Sequence, residues 1–496
     1  MLFIDSLLAA LSPFTLAMNF VGVMLGMIVG ALPGLGSVVA ITICLPFTFG
    51  MASVSAIALL LGVYCGSICG GSIAAVLINT PGTPQSAATA FDGYPMARAG
   101  KPGKAIGWAL AASIFGGVFS CVILTFAAPQ IAVFALQFGP LETCALILMG
   151  LTCISSVSAN NQFKGLAMGV LGLLLACVGM SPFSAESRFT FDIFALNSGI
   201  DLVAVIVGVF ALSEVLDRVE RMRREARVEN GTSCRVQLPS LGEWRGRMSG
   251  LVKSSLIGTF VGILPGTGAA TAAFLSYGEA RRSSPRRENM GKGEPDGIIA
   301  AESSNNAVTG GALIPMMVLG VPGDVLTAIL LGALMIQGLA PGPLLFSEHS
   351  TVVSGIFGSF FVAQAAMLVI GLLAVRVAGK IVHVPTPILM PIVLVLCAIG
   401  SYATNNSTFD LWIMAGFGLL GYLMLKGGFP QPPLLLALIL GPIAESNFRR
   451  TLSISRNDLS IFVTSPIACT ILAVSLLIIL KAAWDELRRK PATPAG

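Results

Sequence analysis

Apolar runs of helical length dominate the chain. Long apolar stretches lie near 14–32, 54–80, 105–127, 130–157, 164–181, 199–216, 325–346, 351–375, 385–402, 408–425 and 460–481, with shorter ones at 37–48, 251–264, 267–277, 307–322 and 433–446. A hydrocarbon core about 30 Å thick needs roughly 20 apolar residues per helix. Several segments are therefore too short to cross alone. None alternates with the period of two that marks a barrel strand. The pattern predicts an all-α fold, a polytopic transmembrane helical bundle. One long polar stretch interrupts it, Asp217 to Lys253, with Arg218, Arg221, Arg223, Arg224, Arg227, Arg235, Arg245, Arg247 and Lys253. It divides the chain into a first transmembrane repeat (1–216), a cytoplasmic basic linker (217–250), a second transmembrane repeat (251–482) and a cytoplasmic tail (483–496).

The halves are called repeats because Gly26-Met-Ile-Val-Gly-Ala-Leu-Pro-Gly-Leu-Gly36 recurs as Gly258-Thr-Phe-Val-Gly-Ile-Leu-Pro-Gly-Thr-Gly268. A second glycine/proline cluster follows in each: Gly70-Gly71 then Asn79-Thr80-Pro81-Gly82, and Gly310-Gly311 then Gly320-Val321-Pro322-Gly323. Charge placement relates the halves. In the first, the connector Phe47 to Ser55 is uncharged, and Arg98, Lys101 and Lys104 follow the second cluster. In the second, the connector carries Arg281, Arg282, Arg286, Arg287 and Lys292, and Gln337 to Ser347 has no Lys or Arg. With every basic loop in the cytoplasm, equivalent parts fall on opposite sides of the membrane. This predicts an inverted-topology repeat, the mark of many secondary transporters. The basic tail (Arg488, Arg489, Lys490) places the C-terminus in the cytoplasm, and the Lys/Arg-free start places the N-terminus in the periplasm. That start carries Asp5 and lacks a basic n-region and cleavage site, so it is expected to stay on the protein.

Composition agrees. Of 496 residues, 55% are hydrophobic and only 11% charged, where soluble domains have about a quarter charged. The formal charge of +5 is a topology signal and not a nucleic-acid footprint. Ten cysteines are scattered, mostly in apolar segments (Cys44, Cys121, Cys144, Cys177, Cys397, Cys469), and read as small buried side chains. The sequence lacks HExxH, Walker A and GxSxG patterns and has two separated histidines, His349 and His383. An enzyme is therefore not expected, nor a cofactor, and energy must come from an ion gradient or another subunit.

Candidate chemistry sits at the helix breaks. At Pro33-Gly34 and Pro265-Gly266, proline removes a helical hydrogen bond and glycine admits positive φ. Loose backbone at membrane depth is tolerated only beside protein or a watery cavity, so these read as broken or re-entrant helix tips at a binding site. The second clusters add hydroxyls and amides: Ser67, Asn79, Thr80, Pro81, Gly82 and Thr83 in the first half, and Asn305, Asn306 and Thr309 before Pro322-Gly323 in the second. With helix N-terminal N–H groups they suit a carboxylate that must bind and leave. Helix packing alone is the competing reading for each. Among acidic residues in apolar surroundings, Asp324 is the first candidate for cation coupling, by binding Na⁺ or accepting a proton, and Glu302 the second. Glu302 and Asp92 are alternatively placed at segment ends in water. Glu142 is a further candidate. Asn160-Asn161 and Asn405-Asn406 are expected in loops.

The chain resembles the large membrane subunit of the tripartite tricarboxylate transporter family. The likeness rests on the twin Gly-x-Leu-Pro-Gly-x-Gly segments (30–36, 262–268), Tyr64-Cys65-Gly66-Ser67 through Pro84, Asp92-Gly93-Tyr94-Pro95-Met96-Ala97 with Gly100-Lys101-Pro102-Gly103, Glu302 through Gly311, and Leu319-Gly-Val-Pro-Gly323. It implies a multi-pass protein of the bacterial inner membrane working with a small four-helix membrane subunit and a periplasmic solute-binding protein. It also implies import of citrate-like or other small carboxylates, driven by Na⁺ or protons. A stand-alone carboxylate symporter is the alternative. No motif beyond about residue 350 matches residue by residue.

Overall fold

The computed structural model describes residues 10–33, 35–157, 162–181, 183–184, 186–221, 235–381 and 386–488. Gly34, Asn160-Asn161, the linker residues Arg223, Arg224 and Arg227, and Arg489 and Lys490 of the tail lie outside the described residues. The helices are α1 (Pro13–Ala31), α2 (Gly36–Cys44), α3 (Ser53–Ile78), α4 (Ala90–Arg98), α5 (Pro102–Ala135), α6 (Pro140–Val157), α7 (Gln162–Ala176), α8 (Leu202–Ile206) and α9 (Ser213–Arg221). After the linker come α10 (Leu241–Arg245), α11 (Met248–Ile263), α12 (Gly268–Ser283), α13 (Pro295–Leu319), α14 (Val325–Ile336), α15 (Leu344–Glu348) and α16 (Ser350–Ile381). The last are α17 (Thr386–Asn405), α18 (Thr408–Gly427), α19 (Pro432–Ile454), α20 (Ile461–Thr464) and α21 (Pro466–Arg488). Among the described residues, six helices are long and apolar enough to cross a membrane, namely α1, α3, α5, α18 and most of α16 and α17. The one β-structure among the described residues is a minimal hairpin, Gly179–Met180 against Ser187–Arg188.

Glycine sets the core. A Cβ added to Gly22, Gly26 or Gly30 of α1 would fall 2.1, 2.5 or 2.2 Å from the carbonyl oxygens of Leu59, Val63 and Ser67 on α3. The two backbones touch along a parallel seam, as small-residue helix faces permit. The seam recurs in the second half: Gly258 and Gly262 of α11 meet the carbonyls of Ser304 and Val308 on α13 at 2.1 and 2.7 Å. The shift from 26 to 258 and 30 to 262 is matched by 63 to 304 and 67 to 308. The match also fixes the register of the Gly-Gly pairs. Gly70 meets Met27 O at 2.4 Å and Gly311 meets Thr259 O at 2.3 Å, so Gly70 corresponds to Gly311, not Gly310.

The loops gather at two ends. At one, Gln237 N donates to Gly103 O (2.9 Å), Lys104 bonds Glu243, Arg286 reaches Gly246 O and Arg247 holds Glu294 and Asp296 (2.8 Å each). Here the three basic segments 98–104, 235–250 and 281–296 meet. At the other, Gln337 Nε2 donates to Thr48 O (2.9 Å) and Ser53 Oγ to Gln337 Oε1 (3.4 Å), joining the two Lys/Arg-free segments. Thus α3 begins beside Gln337 and ends near α4, whereas α13 begins beside α4, with Gly297 against Asp92, and ends where Met317 O accepts from Gly342 N. These two helices run in opposite directions. Residues past 350 also join the core: Asn19 Nδ2 donates to Ser359 O (2.8 Å) and Gln364 Nε2 to Cys65 Sγ (3.4 Å), seating α16 against α1 and α3.

Candidate substrate and cation site

Each half builds one unit from a helix tip and the loop that folds back on it. In the first, α1 ends at Leu32, Pro33 turns the chain, and α2 starts at Gly36 (φ +69°) with no side-chain cap. In the second, α11 ends at Leu264, Gly266 takes φ +82°, and α12 starts at Gly268 (φ +71°), again without a side-chain N-cap. Both N-termini thus present backbone N–H groups without a capping side chain. The loops pack on these tips. A Cβ on Gly82 would lie 2.1 Å from Gly30 O, and one on Gly323 2.4 Å from Gly262 O. Gly266 N donates to Gly323 O at 2.8 Å.

What ends α3 and α13 is not the Pro-Gly pair. Asn79 (φ 55°) and Gly320 (φ 69°) stop them in the left-handed conformation, two residues before Pro81 and Pro322. For α13, Gly320 N and Val321 N return to Met316 O and Pro315 O, a helix C-cap. The loops differ in exposure: Asn79 and Thr80 are exposed, whereas Pro322, Gly323 and Asp324 are buried.

The two units meet on one face of α3. Tyr64 O–H donates to Asp324 Oδ2 at 2.7 Å, and Thr83 Oγ1 lies 2.3 Å from a Cβ built on Gly71. Tyr64 and Gly71 are two helical turns apart, about 10 Å along the axis. Asp324 Oδ1 accepts from Thr327 N and Oγ1, both at 2.7 Å, and so caps α14. Glu302 is fully buried on α13 and accepts from Thr89, just past the first loop, and from Ser113 of α5 (2.8 Å). Neither carboxyl group has a Lys or Arg partner among the described residues. Asn305 is wholly buried with both amide atoms unpaired, and Asn306 Oδ1 is unpaired too. Ser67 and Thr309 donate to the carbonyls of Tyr64 (3.0 Å) and Asn306 (2.5 Å).

For two acidic residues the structure decides between the readings the sequence left open. Asp92 is buried, not in water: Oδ1 accepts from Gly291 N, Gly293 N and Glu294 N (2.8, 2.9 and 2.8 Å), and Oδ2 from Tyr277 (2.8 Å). It fastens the basic connector to α4. Glu302 likewise lies inside, not at a wet segment end. Glu142 accepts from Gly139 N (2.9 Å) and Ser465 Oγ (3.0 Å), a cap at the start of α6. Sequence reasoning passed over Tyr64, Thr89 and Ser113. Tyr64 stood in a quoted motif, whereas isolated hydroxyls such as Thr89 and Ser113 carry no pattern.

Residues 16–436 match the tripartite tricarboxylate transporter TctA family. The chain belongs to that family. As a TctA-family protein it is a transporter component and not an enzyme, and its family works with partner subunits. A relative from Agrobacterium vitis, described as an uncharacterized 52.8 kDa protein in the TAR-I ttuC' 3' region, is 37% identical over 482 residues, covering 97% of this chain and 95% of that protein. A second, an uncharacterized protein in the TAR-II ttuC' 3' region of the same organism, is 33% identical over 233 residues, covering 47% of this chain and 96% of that protein. No solved structure matches the chain. The family match takes in both Pro-Gly loops, both tips, Glu302 and Asp324.

Proposed function

We propose that this chain is the substrate-translocating subunit of a bacterial inner-membrane importer for small tri- or dicarboxylates, driven by a Na⁺ or proton gradient. A periplasmic solute-binding protein delivers the substrate, and a small four-helix membrane subunit completes the system. The supporting observation is the pair of equivalent tip-and-loop units meeting on one face of α3. Uncapped N-termini of α2 and α12 beside them suit an anion, and the absence of a fixed Arg clamp among the described residues suits one that must leave. The opposite directions of α3 and α13, with basic loops gathered at one end, support an inverted-topology repeat in which the two units exchange access to the two sides. Pro33, Pro81, Thr83, Pro265, Pro322 and the neighbouring amides line the proposed path, and Asp324 and Glu302 are the coupling candidates.

The test is uptake of radiolabelled citrate and a dicarboxylate panel by proteoliposomes holding both membrane subunits, with the binding protein added outside and an imposed ion gradient. Gradient-dependent uptake of at least one carboxylate is expected. Uptake that proceeds equally without the binding protein would favour a stand-alone symporter, and none across the panel would overturn the substrate class.

A further inference from the structure

Glu302 carries one negative charge into a fully enclosed place. Its two oxygens face only the hydroxyls of Thr89 and Ser113. An unpaired charge so placed is costly enough that one positive charge should neutralise it. A proton would do that, but it would leave the surroundings unexplained. One helical turn along α13, Asn305 has an unpaired Oδ1 and an unpaired Nδ2, and Asn306 an unpaired Oδ1. Each orphaned buried polar atom costs about 1–3 kcal/mol if nothing fills it. Glu302, Asn305, Asn306 and Thr309 share one face of the helix. Oxygen donors alone, with a single formal charge among them, suit a hard monovalent cation.

We propose that Glu302, Asn305 Oδ1, Asn306 Oδ1 and Thr89 Oγ1 form a Na⁺ site between the two halves. Asp324 is a different kind of group, because its oxygens are occupied by capping α14 and by Tyr64. The site rests on the transporter reading in one respect only: Asn305 Nδ2, left over by the cation, is available to the anionic substrate. Glu302 has Leu61 at its equivalent place in the first half, so the repeat supplies no second carboxylate there.

The experiment needs no substrate. The purified full-length chain in nanodiscs is melted in NaCl, KCl and choline chloride at equal ionic strength. The wild type should gain a saturable, Na⁺-specific rise in unfolding temperature. Glu302→Gln and Asn305→Leu should each raise the half-saturating Na⁺ concentration at least ten-fold, and Glu243→Gln, on the linker helix α10 beside Lys104, should retain the response. If Glu302→Gln does not fold, Thr89→Val removes one ligand and leaves the carboxylate, and it should weaken Na⁺ at least three-fold. A wild type that melts alike in all three salts, or a Glu302→Gln variant with the wild-type Na⁺ response, overturns the site. Neither result touches carboxylate uptake, which is measured separately.

Discussion

Asp92 shows how much one buried carboxylate can organise. Its four hydrogen bonds join α4 to the 291–294 turn and to Tyr277 on α12. Asp92→Ala would leave three backbone N–H groups and a phenol without their acceptor, at a cost of roughly 3 kcal/mol or more. We expect a lower unfolding temperature for the purified chain and faster proteolysis within 284–294. An unchanged melt and digestion pattern would remove Asp92 from this role. The sequence left this residue between a buried place and water because its partners lie about two hundred positions away and three of the four are backbone N–H groups, which no residue type announces. Asp324 was legible as a buried acid after Pro-Gly, yet its cap on α14 and its bond from Tyr64 were not. Capping was hidden because Asp324 follows a loop that looked like part of a broken helix.

At the scale of the element, the breaks were legible and their cause was misplaced. The left-handed residues Asn79 and Gly320 end the helices, and the Pro-Gly pairs then let the chain press against the tip glycines. Pro81→Ala should therefore leave α3 ending where it does. Asn79→Val, by contrast, forces a branched side chain into that conformation at about 1–2 kcal/mol. Gly82→Ala and Gly323→Ala would drive a methyl into Gly30 O and Gly262 O, which must part the loop from its tip. Uptake should fall at least ten-fold in either variant while insertion persists, and normal uptake by both would detach the loops from the path. The linker helix α10 gives a pH prediction. The Lys104 ammonium, followed by Ser240 N–H, holds the Glu243 carboxyl down at about 2. Its folded value is depressed, so its stabilisation is complete above the ordinary carboxylate range near 4.5 and is lost as pH falls towards 2. Glu243→Gln should flatten the acid limb of the melting-temperature profile across that window. An identical acid limb in the variant would show that α10 adds nothing there.

The whole molecule carries the charge pattern that the sequence displayed in pieces. The repeat was readable from eleven-residue similarity and loop charge. Its register at the Gly-Gly pairs was not, because adjacent glycines look alike until a carbonyl from α1 or α11 chooses between them. The fold brings 98–104, 235–250 and 281–296 together at one end and 45–55 and 337–349 at the other, so orientation becomes a single question for the entire chain. Lys and Arg tend to be retained on the cytoplasmic side, which predicts that the first end lies inside. Cysteines placed at Lys101 and Arg287 should escape a membrane-impermeant thiol reagent applied to intact cells, whereas cysteines at Phe49 and Ser347 should react. All four positions are exposed. Of the cysteines whose burial is described, six are buried (Cys44, Cys65, Cys69, Cys121, Cys144, Cys397) and two are partly exposed (Cys177, Cys469). With Cys177, Cys469, Cys153 and Cys234 replaced by serine, labelling then reports the introduced sites. Reaction at Lys101 and Arg287 but not at the other pair would reverse the orientation and leave the fold intact. Reaction at one member of each pair would contradict the two-ended arrangement itself, because Lys101 and Arg287 belong to loops that touch and cannot sit on opposite sides of a membrane.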